Sequence, residues 1–261
     1  MADSAAGAPD AARACYVYGI VPARAALPAD ARGVGDPAGE VSLVRHGQVA
    51  AVVSDVPRDR ALGTRGDLLR HSQLLDGIAA SVPVLPMRFG AVLSDARAVA
   101  DELLAPNHDH FAEVLSDLDG RAQFTVKARY VEEAVLREVL AEEPEIMALH
   151  EALRDRPVEA SHFDRIRLGE LIARAVERRR QADTWALVDE LAPYAAAVAC
   201  APAASAEDVM VDAAFLVDRE GWPAFERAVE GIAQRGAERI RLRLLGPLAP
   251  YDFVADLTGE G

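Results

Sequence analysis

The chain has 261 residues, of which 51% are hydrophobic and 27% charged, enough apolar sequence for one large domain or two ordinary ones. The formal net charge is −14, and a phosphate backbone would repel a surface of that sign, so we expect no nucleic-acid partner. The longest uncharged run, residues 191–206, is shorter than the ~20 apolar residues that span a bilayer, so no membrane span is predicted. Two cysteines are too few for a disulfide framework or a four-ligand zinc site.

The first half of the chain mixes strand and helix patterns. Residues 1–13 carry no apolar core of the kind found in a signal peptide and are predicted to be a disordered tail. Two apolar runs flank Gly47, which predicts a hairpin. The predicted elements are strands at 15–21, 41–44 and 49–53, helices at 67–80, from 96 onward and at 111–118, and a loop at 24–40.

Residues 82–90 form the most distinctive stretch of this half. Pro83 and Pro86 exclude a helix interior, because each removes a backbone donor and restricts the residue before it. We therefore predict a buried, extended segment with fixed bends that ends at Arg88 and Phe89. Arg88 has two interpretations, a structural cation that bonds loop carbonyls beneath Phe89 or an exposed arginine–aromatic anchor, and the structural role is favoured.

The second half follows a regular plan. Residues 121–131 alternate between apolar and polar side chains, which is typical of a half-buried strand. The patterns that follow predict a helix from 132 interrupted at Pro144, a helix at 163–191, strands at 194–201 and 209–217, a helix at 222–234 and a strand at 239–244. This order predicts a ferredoxin-like βαββαβ domain with an enlarged first helical crossover. The fold class is therefore α+β, with a first domain at 14–119 and a second at 120–261.

Four blocks of sequence carry a resemblance to a known family. Residues 16–21, 82–90, 212–218 and 246–254 resemble, in order, segments of the gas vesicle protein F/L family, the accessory and minor shell proteins of microbial gas vesicles. The resemblance implies two α+β domains, the second a modified ferredoxin-like fold. It also implies binding to the hydrophobic major shell protein and other gas vesicle accessory proteins. The implied location is the gas vesicle within the cytoplasm, including the gas-facing side of its shell, and whether the chain is F-type or L-type stays open.

No signature of catalysis or cofactor binding fits this sequence. The sequence has no phosphate-binding loop, no nucleophile elbow and no complete dinucleotide fingerprint. His108 and His110 point apart on a helix, which favours a polar surface over a metal site. We therefore predict a non-enzymatic protein without cofactor or metal. Two alternatives stay open: a small-molecule-sensing ferredoxin-like module, and an enzyme with a site around Arg88, His71 and Arg121.

A candidate partner interface follows from the predicted sheet. The first and last strands of a ferredoxin-like sheet lie side by side, so their outward cations would form a basic stripe, partly neutralised by Asp212 and Asp218. This stripe is either a salt-bridged face packed on the first domain or a docking face for an acidic or polar partner. The candidate interface residues are Arg88, Phe89, Arg121, Lys127, Arg129, Arg239, Arg241 and Arg243.

Overall fold

The structure, a computed structural model, describes residues 13–157, 159–200 and 209–258. The strands in these ranges are β1 (Arg13–Pro22), β2 (Val41–His46), β3 (Val49–Pro57), β4 (Leu85–Pro86), β5 (Val92–Leu93), β6 (Arg121–Tyr130), β7 (Ala197–Cys200), β8 (Val209–Asp218) and β9 (Ile240–Leu248). The helices are α1 (Arg65–Ala79), α2 (Ala96–Ala98), continued by a π-helical stretch at Val99–Leu104, α3 (His108–Asp117), α4 (Glu132–Glu142), α5 (Pro144–Arg154), α6 (His162–Leu191), α7 (Trp222–Arg235) and α8 (Tyr251–Thr258). The α+β class predicted from the sequence is confirmed.

Two predicted segments extend beyond the described residues. The tail predicted at 1–13 lies outside the described residues, except for Arg13, which begins β1. The strand predicted at 194–201 is observed as β7, and its last predicted residue, Ala201, also lies outside them.

Two sheets organise the strands. The first has the order β2-β3-β1-β4, with β5 also pairing with β1, and its pairings are antiparallel. The second has the order β7-β8-β6-β9. The first and last strands of the second half, β6 and β9, are therefore neighbours.

The chain divides into two compact units. Unit 2 is Phe124–Leu245, and unit 1 contains the described residues up to Gln123 and from Gly246 onward. The sequence pattern assigns residues 246–261 to the second domain, whereas the described part of this segment belongs to unit 1. Ala249 is fully buried in the core of unit 1, and its N–H donates to Asp76 Oδ1 at 2.9 Å. An apolar pattern in the sequence indicates that a residue is buried, but it does not indicate in which of two hydrophobic cores the residue lies. The sequence pattern also did not predict helix α8.

Local sequence explains how unit 1 is assembled. Gly47 has φ +56° in the turn between β2 and β3, a conformation that glycine adopts without steric penalty. Helix α1 begins after Thr64, whose side chain accepts a hydrogen bond from the N–H of Asp67, while the Asp67 carboxylate accepts one from the N–H of Thr64. This reciprocal capping box satisfies donors at the start of α1.

The segment at 82–90 is extended and largely buried, as its prolines predict. Leu85 pairs with Ile20 of β1, and the N–H of Met87 donates to the carbonyl of Tyr18 at 2.9 Å. Val84 and Leu85 are buried in unit 1. The segment therefore runs as an edge strand beside β1, which is where a strand that contains proline is tolerated.

Unit 2 has its core on one face of its sheet. Phe124 of β6 and Phe215 of β8 pack with the α7 residue Phe225, at ring separations of 5.5 and 5.3 Å from it. The end of α6 closes the same core through Leu187 and Leu191. Alternating side chains of β6 thus supply the apolar face that the helices cover.

Candidate partner interface

Lys127 and Asp212 lie on the face of the second sheet opposite the core. Their strands, β6 and β8, are neighbours, and Lys127 Nζ contacts Asp212 Oδ2 at 2.7 Å. Both side chains are partly exposed, at 47% and 31%. A pair this open to water contributes on the order of 0–1 kcal/mol to stability, so it mainly neutralises Lys127. Asp212 was predicted to neutralise part of the basic stripe, and this contact does so.

Arg239 departs from the predicted stripe. Its Nε donates to Glu138 Oε2 of α4 at 2.9 Å, and its Nη2 pairs with Asp183 of α6. The guanidinium also lies 5.5 Å from the centre of the Tyr130 ring, and the hydroxyl of Tyr130 donates to Asp183 as well. Burial alone would lower the pKa of Arg239, but the hydrogen bonds to Asp183 and Glu138 raise it above its usual range.

The position of Arg239 in the chain explains why its side chain contacts α4 and α6 instead of joining the predicted stripe. It precedes the first residue of β9 and sits in a turn in which its N–H donates to the carbonyl of Gly236 at 2.9 Å. The alternation of a strand does not apply before the strand begins. Arg239 is therefore a structural residue that ties two helices to the end of the sheet.

The other predicted cations of the stripe are exposed or partly so. Arg121 belongs to unit 1, where its Nη1 donates to the carbonyl of Asp117 at 2.9 Å near the end of α3. Arg129, Arg241 and Arg243 belong to unit 2 and are exposed, and Arg241 donates to the carbonyl of Ala237. Among the candidate stripe residues of unit 2, these three are exposed arginines that lie on strands β6 and β9.

Arg88 and Phe89 behave differently from the favoured interpretation. Phe89 packs inward, with its ring 5.9 Å from Tyr16 and 5.5 Å from His71. Arg88 is exposed, and within the described part of the chain its guanidinium bonds no loop carbonyl. The structural role predicted for Arg88 is therefore wrong, and the exposed-anchor interpretation fits its position, although Phe89 itself is half-buried.

A buried polar network, which the sequence pattern did not predict, surrounds His71. Its Nδ1 lies 2.9 Å from Tyr16 Oη, and its Nε2 lies 2.8 Å from Tyr251 Oη. Tyr16 Oη also accepts a hydrogen bond from the N–H of Gly90. Burial lowers the pKa of His71, so the neutral imidazole is favoured. With both ring nitrogens engaged, His71 is a satisfied core histidine rather than a residue open to a cleft.

A second polar cluster centres on Asp67, whose carboxylate is fully buried. It accepts hydrogen bonds from the N–H of Gly35 at 3.1 Å, from Arg60 Nη2 at 3.0 Å and from Thr64 Oγ1 at 2.8 Å. This cluster fixes the loop around Gly35 to the start of α1. Only the three-residue spacing of Thr64 and Asp67, typical of a capping box, gave any signal in the sequence.

Unit 1 also contains a surface cavity of about 420 Å³. Its lining combines apolar and polar side chains, among them Pro22, Gln48, Pro83, Leu115 and Asp119. None of the candidate interface residues lines it. Across the described residues, no group of three or more His, Cys, Asp or Glu side chains is placed to hold a metal ion. No helix within the same ranges is long and apolar enough to cross a membrane.

The two-sheet α+β fold has known counterparts. The crystal structure of gas vesicle protein GvpF from Anabaena sp. PCC7120 matches with a TM-score of 0.76 and 26% identity, covering 92% of this chain and 98% of that one. Gas vesicle protein F from Streptomyces sp. (strain CB03234) is 36% identical over 240 residues, 92% of this chain and 98% of the relative. Gas vesicle protein L from the same strain is 31% identical over 256 residues, 91% of each chain.

The chain belongs to the gas vesicle synthesis protein GvpL/GvpF family, whose model matches residues 14–255. The resemblance carried by the four sequence blocks is thereby confirmed. Membership of this family implies a role in gas vesicle formation, and the relatives described above are named as gas vesicle proteins rather than enzymes.

Proposed function

We propose that this protein is a non-enzymatic gas vesicle assembly factor that binds the hydrophobic major shell protein. The match to the family model over residues 14–255 carries the proposal. Tyrosine hydroxyls engage both ring nitrogens of His71, and Gly35 and Arg60 hold the Asp67 carboxylate, so His71 and Asp67 serve the fold rather than a substrate. A net charge of −14 would keep a complex with an aggregation-prone subunit dispersed, which is the behaviour of a chaperone.

Within this role, we infer that unit 2 is a ferredoxin-like domain with an enlarged crossover made of α4, α5 and α6. Its elements follow the order strand, helices, strand, strand, helix, strand. The adjacency of β6 and β9 in the sheet supports this inference, because the first and last strands are neighbours in that fold. The domain boundary near Gly120 remains a prediction of the same kind.

The docking surface is proposed to include Arg88 of unit 1 and, separately, Arg129, Arg241 and Arg243 of unit 2. These four arginines of the candidate set are exposed, whereas Lys127 pairs with Asp212 and Arg239 pairs with Glu138 and Asp183. Arginine is enriched among the residues that dominate binding energy at interfaces. On this basis the protein is located at the gas vesicle, either during shell assembly or on the gas-facing side of the shell, beside other accessory proteins.

Co-purification with the major shell protein tests the role. We expect the shell protein to be retained by the wild-type chain and lost from the double variant Arg241→Glu, Arg243→Glu, whose circular dichroism should match the wild type. The double variant Arg32→Glu, Arg97→Glu makes the same charge change at two exposed positions of unit 1 and should retain the shell protein. Equal retention by all three proteins would discard this surface, and no retention by the wild type would refute the role.

The small-molecule-sensing module is kept as a second candidate because of the cavity in unit 1. A volume of about 420 Å³ falls within the range of ligand pockets. Thermal shift with free amino acids and nucleotides is the direct measurement. A ligand-dependent rise in melting temperature that is lost in Leu115→Trp, which would fill the cavity, would favour sensing over assembly.

A further inference from the structure

Helix α6 carries two large aromatic side chains on its surface. Phe163 is 85% exposed and Trp185 is 74% exposed. They are separated by 22 positions of one helix of 30 residues, which corresponds to roughly 33 Å and just over six turns. Two aromatic rings thus stand near the two ends of one helix, on the same side.

The residues between them on that side are also exposed. This α6 stripe consists of Phe163, Arg167, Glu170, Arg174, Arg178, Gln181 and Trp185. Other sides of α6 are already used, because its first half packs on α4 and α5 through Leu168 and Ala175, and its second half packs on the sheet through Leu187. The stripe is therefore exposed along its length, and at its edge ion pairs join Arg167 to Glu145 and Arg178 to Glu143.

We propose that the α6 stripe is the contact between two copies of this chain, with the two α6 helices antiparallel about a two-fold axis at Arg174. An axis at that position places Phe163 of one copy opposite Trp185 of the other, since both lie 11 residues from it. The same axis places Glu170 opposite Arg178 and Arg167 opposite Gln181. The stripe is thus complementary to itself, as a two-fold interface requires.

The charges of the stripe favour the antiparallel orientation of the two α6 helices. A parallel arrangement would set Glu170 against Glu170 and Arg178 against Arg178, and like charges placed opposite each other are repulsive. In the antiparallel arrangement only Arg174 faces its own copy, and each Arg174 is already paired with Glu170 of its own helix at 3.7 Å. The antiparallel pair therefore has one like-charge contact, at Arg174, where a parallel pair would have four, at Arg167, Glu170, Arg174 and Arg178.

The expected area indicates a weak dimer. Four aromatic side chains bury roughly 600–1,000 Å² in total, at about 150–250 Å² each. Stable interfaces bury about 1,200–2,000 Å². The polar residues of the stripe bring the total only to the lower end of that range, so dimerisation should depend on concentration.

Sedimentation velocity of the full chain over a wide concentration range tests the proposal. We expect the wild type to shift from monomer to dimer, and the variant Phe163→Ser, Trp185→Ser to bind itself at least tenfold more weakly. The control Leu68→Ser, Leu69→Ser removes two other exposed apolar side chains and should dimerise like the wild type. A wild type that stays monomeric overturns the proposal, as does a dimer that is unchanged in the aromatic variant.

Crosslinking with a short bis-maleimide tests the direction. In a Cys200→Ser background, which removes the exposed cysteine, Arg174→Cys should crosslink to its own copy across the axis. Phe163→Cys should not, because its copy lies about 33 Å away along the antiparallel pair. Self-crosslinking at Phe163→Cys overturns the antiparallel arrangement. If the wild type is monomeric and the variant Phe163→Ser, Trp185→Ser no longer co-purifies with the shell protein, the dimer proposal is overturned and the α6 stripe is the contact with the shell protein instead.

Discussion

Replacement of Asp67 by asparagine is predicted to destabilise unit 1. Every group that contacts the Asp67 carboxylate is a donor, including the N–H of Gly35, the hydroxyl of Thr64 and the guanidinium of Arg60. A carboxylate accepts at both oxygens, whereas the amide of asparagine has two N–H groups and a single acceptor oxygen. Asp67→Asn therefore points a donor at other donors in a site that excludes water.

The size of the loss follows from burial and charge. Removing one partner of a buried ion pair typically costs about 3–5 kcal/mol. Arg60 keeps 22% of its side chain exposed, so water compensates part of its lost partner and we expect about 3 kcal/mol. For a chain of this length, that corresponds to a fall in melting temperature of roughly 6–12 °C.

Calorimetry of the variant and a neighbouring control provides the assay. Asp59→Asn removes the same charge from an exposed residue eight positions earlier and should change the melting temperature by no more than about 1–2 °C. The reasoning would be refuted if the two variants melted at the same temperature.

The pH dependence supplies an independent check. Burial raises the pKa of Asp67, but the hydrogen bonds from Thr64 and Gly35 and the charge of Arg60 outweigh it and hold the pKa below the usual range of an aspartate. The unfolded chain thus binds the proton first as the pH falls, so the stabilisation is present above about pH 4 and is lost below it. The stability difference between wild type and Asp67→Asn should therefore narrow below pH 4.

Three further predictions concern other buried features. Burial lowers the pKa of His71, so its contribution to the stability of the fold is complete above the unfolded pKa of about 6.5 and is lost as the pH falls below that value. The free energy of unfolding in urea should therefore fall by up to about 1.4 kcal/mol per pH unit in that range, and this dependence should be absent in His71→Phe. A Cβ at Gly33 would lie 2.5 Å from a buried tyrosine hydroxyl, so Gly33→Ala should cost about 1–3 kcal/mol, whereas Gly77→Ala, with open space around it, should be neutral or stabilising. Arg239→Met should cost about 1–2 kcal/mol in urea unfolding because two partly buried carboxylates, Glu138 and Asp183, each lose an ion-pair partner, and equal stability of the control Arg241→Met would contradict this.

Elements with a strong periodic pattern were predicted within one or two residues. The strand predicted at 121–131 is β6, and the helix predicted at 163–191 is α6, which begins one residue earlier. Pro144 was predicted to interrupt or restart a helix, and α5 begins there because proline fits the first turn. Short-range patterns of this kind depend on the neighbouring residues alone.

Contacts between distant parts of the chain were not predictable in this way. Tyr251 is 180 positions from His71, and Ala249 is 173 from Asp76, yet each pair is hydrogen-bonded. The predicted stripe was partly wrong for the same reason, since the position of Arg239 depends on two helices elsewhere in the chain.

The sequence by itself determined the α+β class, the order of the main elements and the family, because periodicity and local motifs depend only on residues that are close together in the chain. The tertiary structure alone decided which arginines remain exposed, which core receives the closing segment and which side of α6 is exposed. Burial and charge pairing depend on what lies nearby in space, and spatial neighbours such as Arg239 and Glu138 are 101 positions apart in the chain.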